Sequence, residues 1–412
     1  MKLLIVSQYF WPENFRINDL AVGLEERGHE VTVLTGKPNY PEGRFMPSYG
    51  FFRHDVDEHG GIRVIRVPLI PRGRGGGLRL ALNYASFAFF ASLLAPFRCR
   101  EPYDAILVYE PSPVTVGLPA LVIKRRTGAP VLFWVQDLWP ESLSATGAIR
   151  SPAVLGLVEK LVRFIYRGCD RILVQSRAFS EPIQRLGVES SRILYFPNSA
   201  ERFYTPVEAK EAPIGNGVPV GFRVMFAGNI GAAQAVETVL AAADKLRNEP
   251  DIHWIILGDG RLGPWVRDEV TRRGLEHCVH LLGRHPPESM PHWFARADAM
   301  LVTLRRDPIF ALTIPAKLQS YLACAKPIIA ALDGEGGRIV RESGAGVAVA
   351  AEDSDALAEA VMTMYKVPAS ERQNMGLRGR RYFEANFERQ MLLDRLDRWL
   401  HDVVRQPDRC AS

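Results

Sequence analysis

The sequence has few cysteines and no close pair of them. Five cysteines in 412 residues are spread from Cys99 to Cys410, with no C-x-x-C spacing and an odd total. This pattern argues against a disulfide framework and a zinc site, and it suits a reducing compartment. Net charge is also small, since 51 basic and 46 acidic side chains leave only +5. The excess is too small to indicate a nucleic-acid-binding protein.

The first apolar run is followed neither by a dinucleotide fingerprint nor by a leader-type cleavage site. No G-x-G-x-x-G follows this first predicted strand, which argues against a nicotinamide-dependent oxidoreductase. The first apolar run, residues 1–6, breaks at Ser7-Gln8 with no small-residue cleavage site after it. We therefore interpret this run as a buried first strand.

One long run lacks formal charge, from Leu80 to Phe97. Its 18 residues reach the length of a membrane span, but Asn83 and Pro96 weaken that interpretation. We predict a buried or membrane-facing helix. Arginines flank it and would suit an anionic membrane leaflet, although a solvated rim around a core helix explains them equally well: Arg72, Arg74, Arg79, Arg98 and Arg100.

What the chain does contain is a repeated alternation of apolar β-rich runs and helical stretches. The runs are continuous rather than alternating, which is typical of parallel strands buried on both faces. Seven are predicted as strands in the first half and six in the second: Leu3–Phe10, Glu30–Gly36, Arg63–Leu69, Ala105–Glu110, Pro130–Asp137, Arg171–Ser176 and Ile193–Asn198, then Arg223–Asn229, His253–Gly260, Val279–Arg284, Ala299–Leu304, Pro327–Leu332 and Gly346–Ala350.

The two series predict an α/β protein with two doubly wound Rossmann-like domains facing each other across a cleft. We place an N-terminal domain at residues 1–200, a Pro/Gly-rich linker at 201–221 and a C-terminal domain at 222–385. Residues 386–412 carry an amphipathic helix that we predict to cross back to the N-terminal domain. Ligands in such folds bind at the carboxyl ends of the strands.

Two glycine-rich turns follow strands of the second half. Gly228, Asn229, Gly231 and Gln234 lie in the first turn, and Gly258, Asp259 and Gly260 form the second. Small residues there let the backbone approach a ligand, and free helix N–H groups attract phosphate. Glycines are nevertheless common at strand-to-helix turns, so either turn alone is weak evidence.

A polar loop at Thr313 enters a helix near Pro315 and places Lys317 in the first helical turn. A cation there opposes the helix dipole, and a bound anion would relieve the conflict. Arg284, at the end of a predicted strand, could reach the same place. The alternative is that Lys317 is exposed to water.

Acidic side chains follow two strands of the first half. Asp137 ends a strand among tryptophans, an arrangement that can hold a sugar or place a base. Glu13 follows the first strand in a polar cluster. Asp137 could instead cap the following turn, and the Glu13 cluster could be ordinary loop polarity.

Taken in order, these stretches resemble the GT-B glycosyltransferases, specifically the retaining family 4 enzymes and their WbuB-type branch of surface-polysaccharide transferases. The similar segments are Ser7–Glu13, Arg27–Val31, Pro38–Gly43, Gly228–Gly231, Gly258–Gly260 and Pro315–Ala323. The resemblance spans nearly the whole chain.

The chain departs from the family pattern at the donor site. Two glutamates that family 4 enzymes usually carry fall at Leu312 and Ser320, and an Arg and a Lys that usually bind the donor phosphates fall near Asn229 and Gln234. The frequent His-Asp pair reads Gln136-Asp137. We expect Arg284 and Lys317 to supply the missing positive charge.

The resemblance implies transfer of a sugar from a UDP-sugar or another nucleoside diphosphate sugar, with retained configuration and with no metal or other cofactor. Asp137 and Glu13 would be the catalytic residues. The implied acceptor is an undecaprenyl-diphosphate-linked saccharide, and the implied location is cytoplasmic, peripheral on the inner membrane face. The donor site would comprise Gly228, Asn229, Gly231, Gln234, Gly258, Asp259, Gly260, Arg284, Thr313, Lys317 and Ser320.

Two other functions stay open from the sequence. One is a non-hydrolysing UDP-sugar epimerase, for which Leu312 and Ser320 leave fewer acidic groups than expected. The other is a catalytically inactive GT-B scaffold subunit of a polysaccharide complex, which the lost glutamates would explain.

Overall fold

The computed structural model describes residues 1–73, 76–145, 149, 151–208 and 218–405. The chain forms two compact units. The first comprises Met1–Pro197 together with the segment that begins at Gln390, and the second comprises Asn198–Arg389. The boundary therefore falls at 197/198, against 200/201 in the prediction, and residues 209–217 of the predicted linker lie outside the described residues.

The first unit is built on an eight-stranded sheet in the order β3-β4-β2-β1-β5-β6-β7-β8. All pairs are parallel except the antiparallel pair of β3 and β4. The strands are β1 (Lys2–Val6), β2 (Glu30–Gly36), β3 (Val56–His59), β4 (Ile62–Val67), β5 (Ala105–Glu110), β6 (Val131–Val135), β7 (Arg171–Val174) and β8 (Ile193–Tyr195).

All seven strands predicted for the first half are present. The additional strand, β3, was not predicted because its sequence Val-Asp-Glu-His contains no apolar run. It forms the edge of the sheet, where polar side chains meet solvent and the strand needs no continuous apolar signal.

Helices cover both faces of this first sheet. They are α1 (Arg16–Glu25), α2 (Gly77–Arg98), α3 (Gly117–Thr127), α4 (Glu141–Ala145), α5 (Pro152–Gly168) and α6 (Ser180–Arg185). Apolar residues of α1, among them Ile17 and Leu24, share a core with the strand residues Leu3, Ile5 and Val33. Helix α2 packs against β2, β4 and α3, and α3 packs against β5, β6 and α5.

The second unit contains a six-stranded, wholly parallel sheet in the order β11-β10-β9-β12-β13-β14. Its strands, β9 (Phe222–Ala227), β10 (Ile252–Leu257), β11 (Val279–Gly283), β12 (Ala299–Thr303), β13 (Ile328–Ala331) and β14 (Gly346–Val349), are the six predicted ones. Its helices are α7 (Val236–Lys245), α8 (Gly263–Arg273), α9 (Met290–Ala295), α10 (Pro308–Leu312), α11 (Ala316–Ala323), α12 (Gly334–Ser343), α13 (Ser354–Lys366) and α14 (Ala369–Asn386).

The last helix, α15 (Arg389–Arg405), contributes its apolar face to the core of the first unit. Leu393, Leu396 and Leu400 are buried beside α1 and the sheet. Arg27, after α1, donates a hydrogen bond to Asp394 Oδ1 at 2.7 Å. Two segments distant in sequence therefore complete one core.

The apolar run at residues 80–97 lies within α2, a helix long and apolar enough in composition to cross a membrane. Only 33% of an 18-residue apolar stretch of this helix is buried. Phe87, Ala91 and Ala95 belong to the packed side. Asn83 is also buried, which explains how a polar residue fits within this run.

Candidate functional site

Each sheet has one point where the chain reverses the direction in which strands are added. In the second unit the chain proceeds from β9 to β10 and β11, and then returns to β12 on the other side of β9. In the first unit the corresponding neighbours are β1 and β5. Helices leave opposite faces at such a point and open a crevice at the carboxyl ends of the strands.

The two glycine-rich turns meet at this point of the second unit. Gly228 and Gly258 have φ angles of +138° and +133°, which side chains other than glycine rarely adopt. A Cβ atom on Gly258 would lie 1.9 Å from the carbonyl oxygen of Gly228. A Cβ atom on Gly228 would lie 2.7 Å from Cε of Lys317. Glycine at these two positions lets the two turns pack closely together and leaves room for the Lys317 side chain.

Polar groups lock the same turns together. The backbone N–H of Ile230 donates to the carbonyl oxygen of Asp259 at 3.0 Å, and the Asp259 carboxylate accepts from the N–H of Gly260 at 2.7 Å. The side-chain amide of Asn229 lies against Gly231 and Gly260, since a Cβ atom on either would be within 2.7 Å of it. Asp259 thus stabilises its own turn.

Lys317 lies in the first turn of α11 and extends to the end of β9. Its ammonium group is 3.5 Å from the centroid of the Phe226 ring and donates a hydrogen bond to the side-chain carbonyl of Gln234. Among the described residues no carboxylate forms an ion pair with it. Burial lowers the pKa of Lys317 well below its ordinary value. This cation has polar and aromatic neighbours but no anionic partner.

The remaining predicted donor residues of this edge differ in what they touch. The Thr313 hydroxyl donates to the carbonyl oxygen of Ile309 at 2.8 Å, and the Ser320 hydroxyl donates to that of Ala316 at 3.4 Å. Both hydroxyls are therefore engaged within their own helical turns. Arg284 is exposed just after β11. The N–H of Gly258 donates to the carbonyl of neighbouring Gly283 at 2.7 Å, which puts Arg284 at the same edge of the sheet.

At the corresponding edge of the first unit, Glu13 is buried and holds a neighbouring loop. One carboxylate oxygen accepts from the backbone N–H groups of Asn39 and Tyr40, at 2.8 and 2.7 Å. The other oxygen makes no hydrogen bond among the described residues. Burial raises the pKa of Glu13 to about 7, and the two backbone N–H groups offset only part of that effect.

Two further carboxyl groups end adjacent strands. Glu110, the last residue of β5, is fully buried, and one of its carboxylate oxygens lies 3.4 Å from the backbone N–H groups of Gln136 and Asp137. Burial raises the pKa of Asp137 to about 6. Burial, and next the nearby charge of Asp137, raise the pKa of Glu110 well above its ordinary value. Asp137 is therefore a carboxyl group that titrates near neutral pH.

Aromatic hydroxyls and amides fill the space beside these acids. Tyr84, on α2, interacts through its hydroxyl with Tyr9 and Ser112. Arg72 donates to the Tyr9 hydroxyl at 3.3 Å. The Gln8 side chain donates to Asn83 at 2.7 Å. The edge thus presents hydroxyl, amide and carboxyl groups, the chemistry with which proteins bind sugars and position hydroxyl groups.

Two family models match this chain. Residues 14–199 match the glycosyl transferase 4-like domain, and residues 221–366 match the glycosyl transferases group 1. The chain belongs to the GT-B glycosyltransferases.

Two curated relatives of this glycosyltransferase are bacterial. This chain is 30% identical over 293 residues to the probable glycosyltransferase WbjE of Pseudomonas aeruginosa. The aligned residues cover 68% of this chain and 70% of the relative. This chain is 26% identical over 336 residues to the putative colanic acid biosynthesis glycosyl transferase WcaI of Escherichia coli K12. The aligned residues cover 78% of this chain and 81% of the relative.

Solved structures share the fold of this glycosyltransferase. Sucrose-phosphate synthase from Thermosynechococcus elongatus superposes with a TM-score of 0.75 at 17% identity, over 98% of both chains. HepE of Anabaena in complex with UDP gives a TM-score of 0.72 at 14% identity, over 98% of this chain and all of that one.

The structure brings most of the predicted donor residues of the glycosyltransferase together at one edge. Gly228, Gln234, Gly258 and Lys317 contact one another directly or through a single neighbour. Arg284 is exposed at the same edge of the sheet. No group of three or more His, Cys, Asp or Glu side chains that could hold a metal ion exists within the described part of the chain.

Sequence reasoning missed Glu110 and Tyr84 in the glycosyltransferase. Glu110 ends a predicted strand immediately beside the strand that carries Asp137, so the position of a carboxylate at a strand end was an available signal. Tyr84 lies in the apolar run of α2, and no local pattern distinguishes it from a packing residue. Only the tertiary contact of α2 with the sheet edge identifies it.

Proposed function

We propose that this glycosyltransferase moves a sugar from a UDP-sugar, or another nucleoside diphosphate sugar, to a lipid-linked saccharide with retention of configuration. The observation that carries the proposal is Lys317, a cation without an anionic partner among the described residues, at the start of α11 and beside two stacked glycine turns. A partly buried cation without an anionic partner is costly, which supports a site for an anion that arrives with the substrate.

A diphosphate fits the carboxyl-end edge of the sheet in the second unit, called here the second edge, for two physical reasons. The N–H groups at the start of α11 carry partial positive charge, and the glycine turns allow a phosphate to approach the backbone closely. Lys317 adds a full charge at the same place. When the sugar–phosphate bond breaks, negative charge grows on the departing diphosphate, and fixed donors stabilise this charge more than they stabilise the bound substrate. The UDP and UDP-glucose complexes of HepE support a uridine nucleotide as donor.

The carboxyl-end edge of the sheet in the first unit, called here the first edge, is suited to the acceptor. Asp137 has a pKa of about 6 and can take up a proton from an acceptor hydroxyl near neutral pH. Glu13 supports this edge by fixing the Asn39–Tyr40 loop, through hydrogen bonds that one of its carboxylate oxygens accepts from both backbone N–H groups. We assign Asp137 to proton acceptance or acceptor orientation and Glu13 to acceptor orientation.

No metal or other cofactor enters this proposal. The charge that a divalent ion would supply to a diphosphate comes instead from Lys317 and the start of α11, with Arg284 as an exposed contributor at the same edge.

The relatives support a biological role in polysaccharide biosynthesis. Their names point to colanic acid and to glycosyl transfer, and we propose that this chain belongs with the WbuB-type transferases of surface-polysaccharide biosynthesis. An undecaprenyl-diphosphate-linked saccharide is the proposed acceptor. Work on such an acceptor would place the enzyme in the cytoplasm, peripheral on the inner face of the cytoplasmic membrane.

The test begins with binding of UDP-, GDP- and other nucleotide sugars by calorimetry. Each sugar nucleotide that binds is then incubated with a short lipid-linked acceptor, and the anomeric configuration of the product is determined by NMR. We expect transfer with retention. Epimerised donor without acceptor would establish the epimerase instead, and tight nucleotide binding without transfer to any acceptor would establish a binding subunit.

A further inference from the structure

Helix α2 exposes an apolar stripe along its whole length. Its members are spaced four or seven residues apart, which places them on one side of the helix, and each side chain is at least 45% exposed: Leu78, Leu82, Phe89, Leu93 and Phe97. The packed side carries Phe87, Ala91 and Ala95 instead. A helix of this length extends about 33 Å. The exposed stripe is therefore not the surface by which α2 joins its own core.

A second feature lies on the neighbouring helices of the same unit. A groove of about 670 Å³ runs between α3 and α5 and is lined by both cationic and apolar side chains. The apolar part is Leu121 and Phe164, and the cations are Lys124, Arg125, Lys160, Arg163 and Arg167. Helix α5 also exposes Leu157 and half of Phe164 to solvent.

Most of this positive charge is not neutralised by the protein. Lys124 pairs with Asp170 at 2.6 Å, and Arg163 pairs with Glu159 at 2.7 Å. Within the described ranges, Arg125, Lys160 and Arg167 form no ion pair. The groove therefore combines an apolar wall with three cations that form no ion pair among the described residues.

The stripe and the groove lie on one face of the unit. Helix α2 packs against α3, and α3 packs against α5. The three helices connect β4 to β5, β5 to β6 and β6 to β7, each moving in the same direction across the sheet. Right-handed crossovers place helices of that kind on the same face.

We infer that this helical face is a docking surface for a bilayer that contains anionic phospholipid. The α2 stripe enters the boundary between headgroups and acyl chains, and the α3–α5 groove receives lipid phosphate. This combination distinguishes a bilayer from nucleic acid, whose phosphates would leave the apolar stripe in water. Amphipathic helices with basic residues bind membranes by the same two contributions.

The packing also favours a helix that lies on the membrane over one that crosses it. One side of α2 carries buried residues, including the polar Asn83, which donates to the carbonyl oxygen of Ile70 at 2.6 Å. Crossing the bilayer would expose this side to lipid and break those contacts. The inference concerns the membrane alone and requires neither donor nor acceptor, so it can fail while sugar transfer stands.

Vesicle flotation tests the inference directly. The full chain is mixed with vesicles of phosphatidylcholine alone or with 30% phosphatidylglycerol, and the bound fraction is measured as a function of salt. The variant Lys160→Glu/Arg167→Glu reverses two groove charges, and Phe89→Ser/Leu93→Gln interrupts the stripe. The matched control Lys366→Glu/Arg381→Glu reverses one exposed lysine and one exposed arginine of the second unit.

We expect the native chain to bind anionic vesicles and to be released by salt. The groove variant should bind at least tenfold more weakly, at about fivefold per charge, and the stripe variant should also bind more weakly, while the control binds normally. All four proteins should keep the native thermal midpoint, since the altered side chains are exposed. Failure to bind anionic vesicles, equal loss in the control, or preferential binding of RNA over vesicles in competition would overturn the inference. Retention on vesicles after alkaline carbonate washing would contradict the surface-lying helix.

Discussion

The carboxyl-end edges of the two sheets have opposite electrostatic characters. The first unit gathers two buried carboxyl groups, Glu13 and Glu110, and the partly buried Asp137, and none of them forms an ion pair among the described residues. The second unit places a single lysine, Lys317, where no carboxylate pairs with it. Burial therefore raises the pKa of the acids and lowers the pKa of the lysine.

The difference teaches which substrate group each edge is organised to receive. An unpaired lysine at a helix start lacks an anion, whereas unpaired carboxyl groups with pKa values near neutrality can accept protons from neutral hydroxyls. Ion pairs within each edge would have made both units more stable and less useful. The four predictions that follow alter one side of this contrast at a time.

Replacing the carboxyl group of the first edge should have the largest effect on activity. We expect Asp137→Asn to lower kcat by about 10²–10⁴-fold, because the amide cannot take up a proton. In the native enzyme kcat/KM should fall as the pH drops through about 6, the pKa of Asp137, since protonation removes the base. The pH profile and donor affinity are measured together.

The control for this prediction is Asp104→Asn at the opposite end of the same sheet, where the carboxylate accepts from the backbone N–H of Lys2 at 2.7 Å. It should keep native turnover. A normal pH profile in Asp137→Asn would exclude Asp137 as the titrating group.

Removing the cation of the second edge should have the second-largest effect on activity. We expect Lys317→Met to lower kcat by about 10²–10³-fold, as loss of a fixed donor to a developing charge does elsewhere. The variant should be at least as stable as the native chain, because a partly buried cation without an anionic partner is replaced by an apolar side chain of similar length. Turnover and thermal midpoint provide the two measurements.

Lys326→Met is the matched control, since Lys326 is another lysine whose pKa burial lowers, to about 8, but it precedes β13 at the opposite edge of the sheet. Its removal should leave turnover unchanged. If Lys317→Met loses stability and activity in proportion, the lysine serves folding and not the substrate.

The glycine turns should tolerate no side chain. We expect Gly258→Ala to destabilise the second unit by roughly 3 kcal/mol or more and to abolish nucleotide binding, because its Cβ atom would overlap the Gly228 carbonyl. Gly274→Ala is the comparison. It also has positive φ, at +64°, but no atom closer than 3.6 Å, so it should cost only about 1 kcal/mol. Chemical unfolding followed by intrinsic fluorescence measures the free energy of unfolding of both variants. Equal destabilisation by the two substitutions would show that the positive φ angle alone, and not the overlap with the Gly228 carbonyl, causes the loss.

Replacing Glu13 should have the smallest effect, a change in stability that depends on pH. Its pKa in the folded protein is about 7, above the ordinary 4.5, so the folded state holds the proton more strongly than the unfolded state. Stability from this group is therefore full below pH 4.5 and is lost as the pH rises to 7. We expect Glu13→Gln to be more stable than the native chain at pH 8, by on the order of 2 kcal/mol, and to show little gain at pH 4.5. A gain that does not change with pH would contradict the burial of an ionised carboxylate.

Sequence alone predicted the sheets well because both are made of continuous Val, Ile and Leu runs that need burial on two faces. It did not predict β3, whose polar residues pair at an edge. At the site, the positions of Lys317 and Asp137 followed from strand ends and a helix start. The ring of Phe226 beneath Lys317, the role of Glu110 and the hydroxyl of Tyr84 depend on contacts between elements, which no local pattern encodes.

The central claim is that Lys317 binds the anionic donor, and proton uptake tests it most directly. UDP binding is measured by calorimetry at pH 8–9 in buffers with different ionisation enthalpies. Because burial lowers the pKa of Lys317 and a bound diphosphate would raise it, the native protein should take up a fraction of a proton on binding. Lys317→Met should take up none, while Lys326→Met should behave as the native chain. Equal proton uptake by the native chain and Lys317→Met would contradict the account.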